Sequence, residues 1–167
     1  NTHFVNAHGL HDSNHYTTAY DLAVITKHAM TLPLFREMVQ TSEYTIAPTN
    51  IFDEQRKIYT TNFLLQPVSG YYYKHAIGVK TGYTSDALSC LVSAAEKDGT
   101  EYIAVVLKDE MVEGKSMSFV DSKTLLSYGI KNFPAHKVLS YNEVISTVPV
   151  KNARGTETII LMPETDV

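Results

Sequence analysis

The stretch His75-Ala76-Ile77-Gly78-Val79-Lys80-Thr81-Gly82-Tyr83-Thr84 decides how this chain of 167 residues folds. Ile77 and Val79 alternate with a glycine and a lysine, which is the period-two pattern of a pleated strand. The strand then reaches Lys80-Thr81-Gly82, which supplies a cation, a hydroxyl group and a backbone position without a side chain. Together these features suit an anionic ligand, such as a carboxylate, that lies along the edge of the strand.

Two long apolar runs follow this strand, from Ala87 to Ala95 and from Tyr102 to Leu107. The segment that joins them contains Asp98-Gly99, and Asp-Gly between two such runs is a strong hairpin signal. Continuous apolar runs also indicate strands that are buried on both faces. The sequence therefore predicts three consecutive antiparallel strands near 76–82, 87–96 and 101–108.

Helical periodicity before and after these strands predicts the layers that cover the sheet. Apolar residues recur at helical spacing over 19–30, after a cap at Thr17 or Thr18. A second, short helix is predicted over 33–39 with a proline in its first turn, and a third over 116–132. We therefore expect an α/β fold of the α+β type, with an antiparallel sheet flanked by helices.

The segment between the second helix and the Lys-Thr-Gly strand is less regular. Glu43 to Ala47 is a candidate short strand, whereas Ile58 to Leu65 fits no single element. Asn62 follows two threonines and fits two roles, as the cap of a turn or as a side chain that faces a ligand.

Composition excludes several classes of function. The net charge is −4 and no basic cluster occurs, which argues against nucleic-acid binding. The one cysteine, Cys90, lies in an apolar run and is predicted to be a buried, inert thiol. His8, His11 and His15 would share a face of a helix, but the turn-forming residues among them argue against a helix there. We therefore predict no metal site and no cofactor.

A second unit is predicted to begin near 134–141. Val144 to Val150 and Thr158 to Met162 are β-type runs on either side of a turn-rich connector at 151–155. A hairpin alone is only marginally stable. These residues therefore indicate part of a further β-domain.

Four stretches, in this order, resemble a known family: Asn1 to Leu10, with Asn-Thr-x-Phe and Gly-Leu; Tyr16 to Ala23; Tyr71 to Thr84, with Gly-x-Lys-Thr-Gly-Tyr-Thr; and the segment from Phe133 onward. The family is that of the D-alanyl-D-alanine carboxypeptidases, which are serine-type penicillin-binding proteins of low molecular mass. The resemblance implies a β-lactamase/transpeptidase-like fold that is incomplete at its N-terminal side. It implies that 1–134 is the C-terminal portion of the catalytic domain, and that 135–167 is a linker with part of a small C-terminal β-domain.

The resemblance also implies a reaction. In this family a serine attacks the D-Ala-D-Ala bond of a peptidoglycan stem peptide, D-Ala leaves, and water releases the acyl-enzyme; β-lactams acylate the same serine. That serine lies in a Ser-x-x-Lys motif, and a second motif is Ser-x-Asn. The resemblance places both motifs before Asn1, and neither Ser13-Asn14 nor Ser122-Lys123 has the required spacing.

Several expectations follow from this resemblance. We expect the chain to lack both motifs, to be inactive alone, and to require an N-terminal segment of the same protein as its partner. A sheet without that segment would expose apolar edges, so we expect the isolated chain to be a homo-oligomer, strand-swapped or unstable as a monomer. The expected location is the cell envelope, outside the cytoplasm. The alternative is a non-catalytic binding or assembly module of the same fold.

The resemblance assigns roles to individual residues. Lys80 would anchor the terminal carboxylate of the substrate and support proton transfer, and Thr81 would donate a hydrogen bond to that carboxylate. Gly82 would let the ligand lie close to the strand. The backbone N–H of Tyr83 would be one donor of the oxyanion hole. The competing interpretation of Lys80 is an ordinary lysine on the surface of a strand.

Two residues depart from the family pattern. Lys115, in Gly114-Lys115, stands where relatives often have an arginine that makes a second contact to the carboxylate. A lysine lacks the bidentate fork of arginine, so an ordinary surface position is an equally open interpretation. Leu88 stands where relatives usually have glycine, and its bulk would alter packing next to the strand.

Overall fold

The structure is a computed structural model, and it describes residues 1–136, 138–151 and 158–165. It divides into two compact units, Asn1–Phe133 and Pro134–Val167. In the first unit the elements are α1 (Ala19–Ala29), α2 (Pro33–Gln40), β1 (Glu43–Ile46), β2 (Arg56–Tyr59), a 3-10 turn (Phe63–Leu65), β3 (Ala76–Thr84), β4 (Leu88–Lys97), β5 (Thr100–Asp109), β6 (Met111–Val112), β7 (Lys115–Ser116) and α3 (Met117–Asn132).

The three predicted helices and the three predicted long strands are confirmed, with ends that differ by one or two residues. Thr18 caps α1, because its side chain accepts a hydrogen bond from the Asp21 N–H. This settles the choice between the two candidate threonines. The segment over 58–65, which fitted no single element, contains the end of β2 and the 3-10 turn.

The main sheet is an antiparallel meander in the order β3-β4-β5. Lys80 lies opposite Val92, and Thr81 lies opposite Leu91. Among the described strands, β3 pairs only with β4. The second edge of β3 therefore presents backbone N–H and C=O groups that the sheet does not use.

Side chains pack on both faces of this sheet, as the continuous apolar runs predicted. One cluster joins Met30 at the end of α1 to Val79 and Ala94 of the sheet, with Phe35 and Val39 of α2 against it. Two further clusters lie around the 3-10 turn and α3, and their buried members are Leu64, Leu91 and Phe119, and Ala95, Ala104 and Leu126. Burying a leucine or phenylalanine in this way contributes about 1.5–3 kcal/mol each, so both helical layers hold β3 and β4 in place.

Gly78 lies in close contact with Val39 of α2. A Cβ atom added at Gly78 would lie 2.9 Å from the Val39 Cγ2 atom, and the φ angle of Gly78 is +146°. An L side chain would therefore collide with α2 and would strain the backbone. This close contact explains the glycine two positions before Lys80.

In a polypeptide that includes the expected N-terminal segment, replacing Gly78 by alanine should lower the free energy of unfolding by about 2 kcal/mol. The double variant Gly78→Ala, Val39→Ala should recover part of this loss, because it removes the colliding methyl groups. Gly70→Ala is the control, since nothing lies within 4 Å of a Cβ atom added there. Urea unfolding would measure all three, and a Gly78→Ala variant as stable as the control would refute the packing argument.

The second unit contains β8 (Ser146–Pro149) and β9 (Thr158–Leu161), which pair in antiparallel register. Both strands lie within the two predicted β-type runs. Of the predicted connector between them, only Lys151 lies inside the described residues. None of the helices that the structure describes is long and apolar enough to cross a bilayer.

Candidate active site

An open groove of about 430 Å³ lies at β3 and contains the central residues that the sequence singled out. Its lining residues are Thr61, Lys80, Thr81, Gly82, Tyr83, Ser89, Cys90, Ser116, Ser118 and Phe119. The structure therefore brings Lys80, Thr81, Gly82 and Tyr83 together on one side of a concave surface. Lys80 is exposed at this groove and not on a featureless convex face.

The ammonium group of Lys80 is held at the groove by its own strand. Its Nζ atom donates to the carbonyl oxygen of Thr81 at 2.6 Å. A lysine ammonium has three N–H donors, so two remain for other acceptors. The position can therefore offer a localised positive charge to an anion in the groove.

The hydroxyl of Thr81 contacts a second hydroxyl across the groove lining. The Oγ1 atoms of Thr61 and Thr81 are 2.6 Å apart. Thr61 precedes the 3-10 turn, whose cap is Asn62: the Asn62 Oδ1 atom accepts from the Leu64 N–H at 3.1 Å. The cap interpretation of Asn62 is thus confirmed, and the residue in the groove is its neighbour.

Gly82 and Cys90 lie side by side on β3 and β4. A Cβ atom added at Gly82 would meet only the Cys90 Cβ atom, at 4.0 Å, which is ordinary van der Waals contact. Packing within the protein therefore does not require glycine here, and the missing side chain leaves room in the groove. The next residue, Tyr83, is 73% exposed and also lines the groove.

Cys90 corrects one expectation. It was predicted to be buried, but it is half-buried and lines the groove. Its Sγ atom lies 3.4 Å from the Ala87 carbonyl oxygen and 3.5 Å from the Lys108 nitrogen. The apolar run that contains it does become buried, but only further along β4, at Leu91 and over 93–95.

The other wall of the groove comes from the start of α3. The hydroxyl oxygens of Ser116 and Ser118 are 3.0 Å apart, and the Ser116 N–H donates to the Tyr71 hydroxyl at 2.9 Å. Phe119 forms the apolar part of this wall and packs against the rings of Tyr71 and Phe63. Sequence reasoning missed these groove residues.

Lys115 lies on β7, immediately before this wall. Its side chain is exposed, and it is not among the residues that line the groove. The structure instead brings its neighbour Ser116 to the groove. The sequence shows the turn at Gly114, but sequence alone does not tell which of the two residues after it lines the groove.

Leu88 occupies an unusual backbone position at the start of β4. Its φ angle is +52°, in the left-handed region. This conformation costs a residue with a Cβ atom about 1–2 kcal/mol relative to glycine. The geometry thus explains why glycine suits this position, directly after the tight turn in which the Thr84 hydroxyl accepts from the Ala87 N–H.

The N-terminal histidines take part in loop hydrogen bonds. The His8 Nδ1 atom accepts from the Leu10 N–H at 3.0 Å, and the His15 Nδ1 atom accepts from the Val5 N–H at 3.2 Å. Within the residues that the structure describes, no group of three histidine, cysteine or acidic side chains could hold a metal ion.

The chain was expected to lack both serine motifs, but the spacing of the second one does occur. No Ser-x-x-Lys occurs in the 167 residues, but Ser140-Tyr141-Asn142 does have the Ser-x-Asn spacing. It lies in the second unit, after Lys80-Thr81-Gly82, in a turn where the Ser140 N–H donates to the Glu143 carboxylate at 3.0 Å. The order along the chain is the reverse of the expected one, so this tripeptide is not the second motif that the resemblance implied.

Comparison with known proteins identifies the family. The model of the D-alanyl-D-alanine carboxypeptidase family, peptidase S11, matches residues 1–111. D-alanyl-D-alanine carboxypeptidase DacF of Bacillus subtilis is 27% identical over 92% of this chain and 37% of its own length. The crystal structure of the Streptomyces K15 DD-transpeptidase is 34% identical, covers 78% of this chain and 48% of that protein, and superimposes with a TM-score of 0.64.

A third relative supports the fold alone. The PBP3 structure from Streptococcus pneumoniae, described as a peptidoglycan synthesis regulatory factor, is 23% identical and covers 93% of this chain and 42% of that protein, with a TM-score of 0.73. The penicillin-binding, transpeptidase-like fold that the resemblance implied is therefore confirmed. The chain spans less than half the length of these relatives. Because the family model matches residues 1–111, this chain belongs to the D-alanyl-D-alanine carboxypeptidase family.

Proposed function

We propose that this chain forms one wall of the active site of a serine-type D-Ala-D-Ala carboxypeptidase. The observation that carries the proposal is the groove at β3, a strand with one edge that the described sheet does not pair: Lys80 and Thr81 both line this groove, and the Lys80 ammonium donates to the Thr81 carbonyl oxygen there. A free strand edge can bind an extended peptide through its backbone groups. A cation and a hydroxyl beside that edge suit the terminal carboxylate of such a peptide.

In the proposed reaction, the nucleophilic serine comes from residues outside this chain. Lys80 and Thr81 bind the carboxylate of the D-Ala-D-Ala terminus, and Lys80 also supports proton transfer. Gly82 leaves space for the ligand, and the N–H of Tyr83 donates to the developing oxyanion. A lost oxyanion donor typically costs about 2.7–4 kcal/mol in the transition state. Because the donor at Tyr83 is its backbone N–H, we expect this position to tolerate other side chains.

Lys115 has a weaker place in this proposal. Its exposed side chain lies beside the groove and not in its lining. Its positive charge would attract the carboxylate from beside the groove, without the bidentate fork of an arginine. Ser116 and Ser118 already supply hydroxyl groups at that wall.

The remaining assignments are part of the same proposal. Residues 1–134 belong to the catalytic domain, and 135–167 comprise a linker and part of a C-terminal β-domain. The substrates are peptidoglycan stem peptides, β-lactams are inhibitors, and the site of action is the cell envelope. Exposed apolar side chains on α1, namely Tyr20 (77%), Val24 (52%) and Ile25 (47%), support the proposal that an N-terminal segment or a second copy covers this face.

Covalent labelling by a fluorescent penicillin tests the proposed function. We expect no label on the isolated chain, because it contains no Ser-x-x-Lys serine. The complete polypeptide is defined here as this chain with a segment that contains both serine motifs before Asn1. It should become labelled and should release D-Ala from an acylated D-Ala-D-Ala peptide.

The control is the same polypeptide with the Ser-x-x-Lys serine replaced by alanine, which should take no label. Label on the isolated chain would place a nucleophile within these residues and contradict the proposal. A folded complete polypeptide without label or D-Ala release would favour the non-catalytic binding module.

A further inference from the structure

The hydroxyl groups of Thr61 and Thr81 form a pair that the sequence did not predict. The two residues are 20 positions apart, yet their Oγ1 atoms are 2.6 Å from each other, and both line the groove. A distance this short is at the strong end of O–H···O hydrogen bonds. The contact joins the loop before the 3-10 turn directly to the residue proposed to bind the carboxylate.

Thr61 is held in place by its neighbours in sequence. The Thr60 hydroxyl accepts from the Asn62 N–H at 3.1 Å, and the Gln66 side-chain amide donates to the Thr60 carbonyl at 2.6 Å. Asn62 and Leu64 are 1% and 0% exposed. Because the residues on both sides of Thr61 are anchored, its hydroxyl is a fixed partner for Thr81.

The number of protons decides which hydroxyl group donates in this contact. Each hydroxyl has one proton to donate and two lone pairs to accept. Thr81 can donate to a carboxylate in the groove only when it does not donate to Thr61. In that state Thr61 donates to Thr81, and the Thr81 proton points to the ligand. A donor into Thr81 also polarises its O–H group and strengthens the outgoing hydrogen bond.

We infer that Thr61 is a positioning residue for Thr81, which it orients toward the carboxylate of the ligand; this inference rests on the proposed function. Thr61 itself does not touch the reacting atoms. Its hydroxyl fixes the rotamer and the proton direction of Thr81. The consequence is an effect on substrate binding and not on the chemical step.

The test uses the complete polypeptide with the variants Thr61→Val, Thr61→Ser, Thr81→Val and the double valine variant. KM and kcat are measured for release of D-Ala from an acylated D-Ala-D-Ala peptide. We expect Thr61→Val to raise KM about fivefold, the effect of one hydrogen bond, with kcat changed less than about twofold. Thr61→Ser should retain the wild-type KM. In the Thr81→Val background, Thr61→Val should have no additional effect.

Three results would overturn the inference: a wild-type KM in Thr61→Val, equal damage in Thr61→Ser and Thr61→Val, or additive effects in the double valine variant. Thermal unfolding checks the fold, and Tm should change by less than about 2 °C, because this hydroxyl pair is exposed. A folded wild-type polypeptide that releases no D-Ala would overturn the proposed function as well, so the two failures are distinguishable.

Discussion

Replacing Lys80 by alanine in the complete polypeptide is expected to slow acylation by penicillin at least about a hundredfold. The variant removes the charge that lies at the groove and binds the carboxylate in our proposal. Charge-assisted hydrogen bonds are about twice as strong as neutral ones, and groups that stabilise charge in the transition state commonly contribute about 10²–10³ in rate. Stopped-flow measurement of labelling would give the rate constant.

Lys74 offers a matched control for this prediction. It is an exposed lysine six positions earlier and does not line the groove. Lys74→Ala changes the net charge by the same amount and should leave the acylation rate within about twofold. Lys80→Arg should fall between the two alanine variants, since it keeps the charge but not the compact shape of the ammonium. Acylation of Lys80→Ala at the wild-type rate would remove this residue from the mechanism.

Replacing Leu91 by alanine in the complete polypeptide is expected to lower the free energy of unfolding by about 4 kcal/mol. Leu91 is 0% exposed, lies opposite Thr81 in the sheet, and belongs to the cluster with Leu64 and Phe119. Deleting a fully buried leucine side chain leaves a cavity that the surrounding layers cannot fully close. The expected loss therefore lies in the upper part of the range that is usual for leucine-to-alanine substitutions. Urea unfolding followed by circular dichroism would measure the change.

Leu34→Ala is the control for this second prediction. Leu34 lies on α2 and is 68% exposed, so its truncation should change stability by less than about 0.5 kcal/mol. The folded fraction of Leu91→Ala should also be acylated more slowly, because the same cluster supports Phe119 and the segment that carries Thr61. A loss of less than about 1 kcal/mol would contradict our assignment of this cluster as the support of the groove.

The helices and long strands could be predicted from the sequence because the spacing of apolar residues reflects which faces of each element are buried. Alternation around Val79 and the continuous apolar run of β4 could be converted into strands without knowledge of their partners. The ends of the helices followed from local chemistry, as at Thr18 and Pro33. These signals lie within a few residues of the feature that they predict.

The groove was harder to predict because its residues come from distant segments. Lys80-Thr81-Gly82 is a recognisable motif, but no local signal indicates that Thr61 reaches Thr81 or that Ser118 lines the opposite wall. Lys115 was singled out by the family resemblance, whereas the residue that lines the groove is its neighbour Ser116. Cys90 was assigned to the core from its run, although the beginning of β4 borders the groove. Such contacts depend on tertiary packing and not on periodicity.

A crystal structure of the complete polypeptide acylated by a penicillin would show whether Lys80 and Thr81 bind the carboxylate. We expect the carboxylate of the bound drug to lie about 3 Å from the Thr81 Oγ1 atom and from the Lys80 ammonium. We also expect the Thr61 hydroxyl to stay in contact with Thr81. A carboxylate held elsewhere, with the edge of β3 left empty, would contradict our proposal.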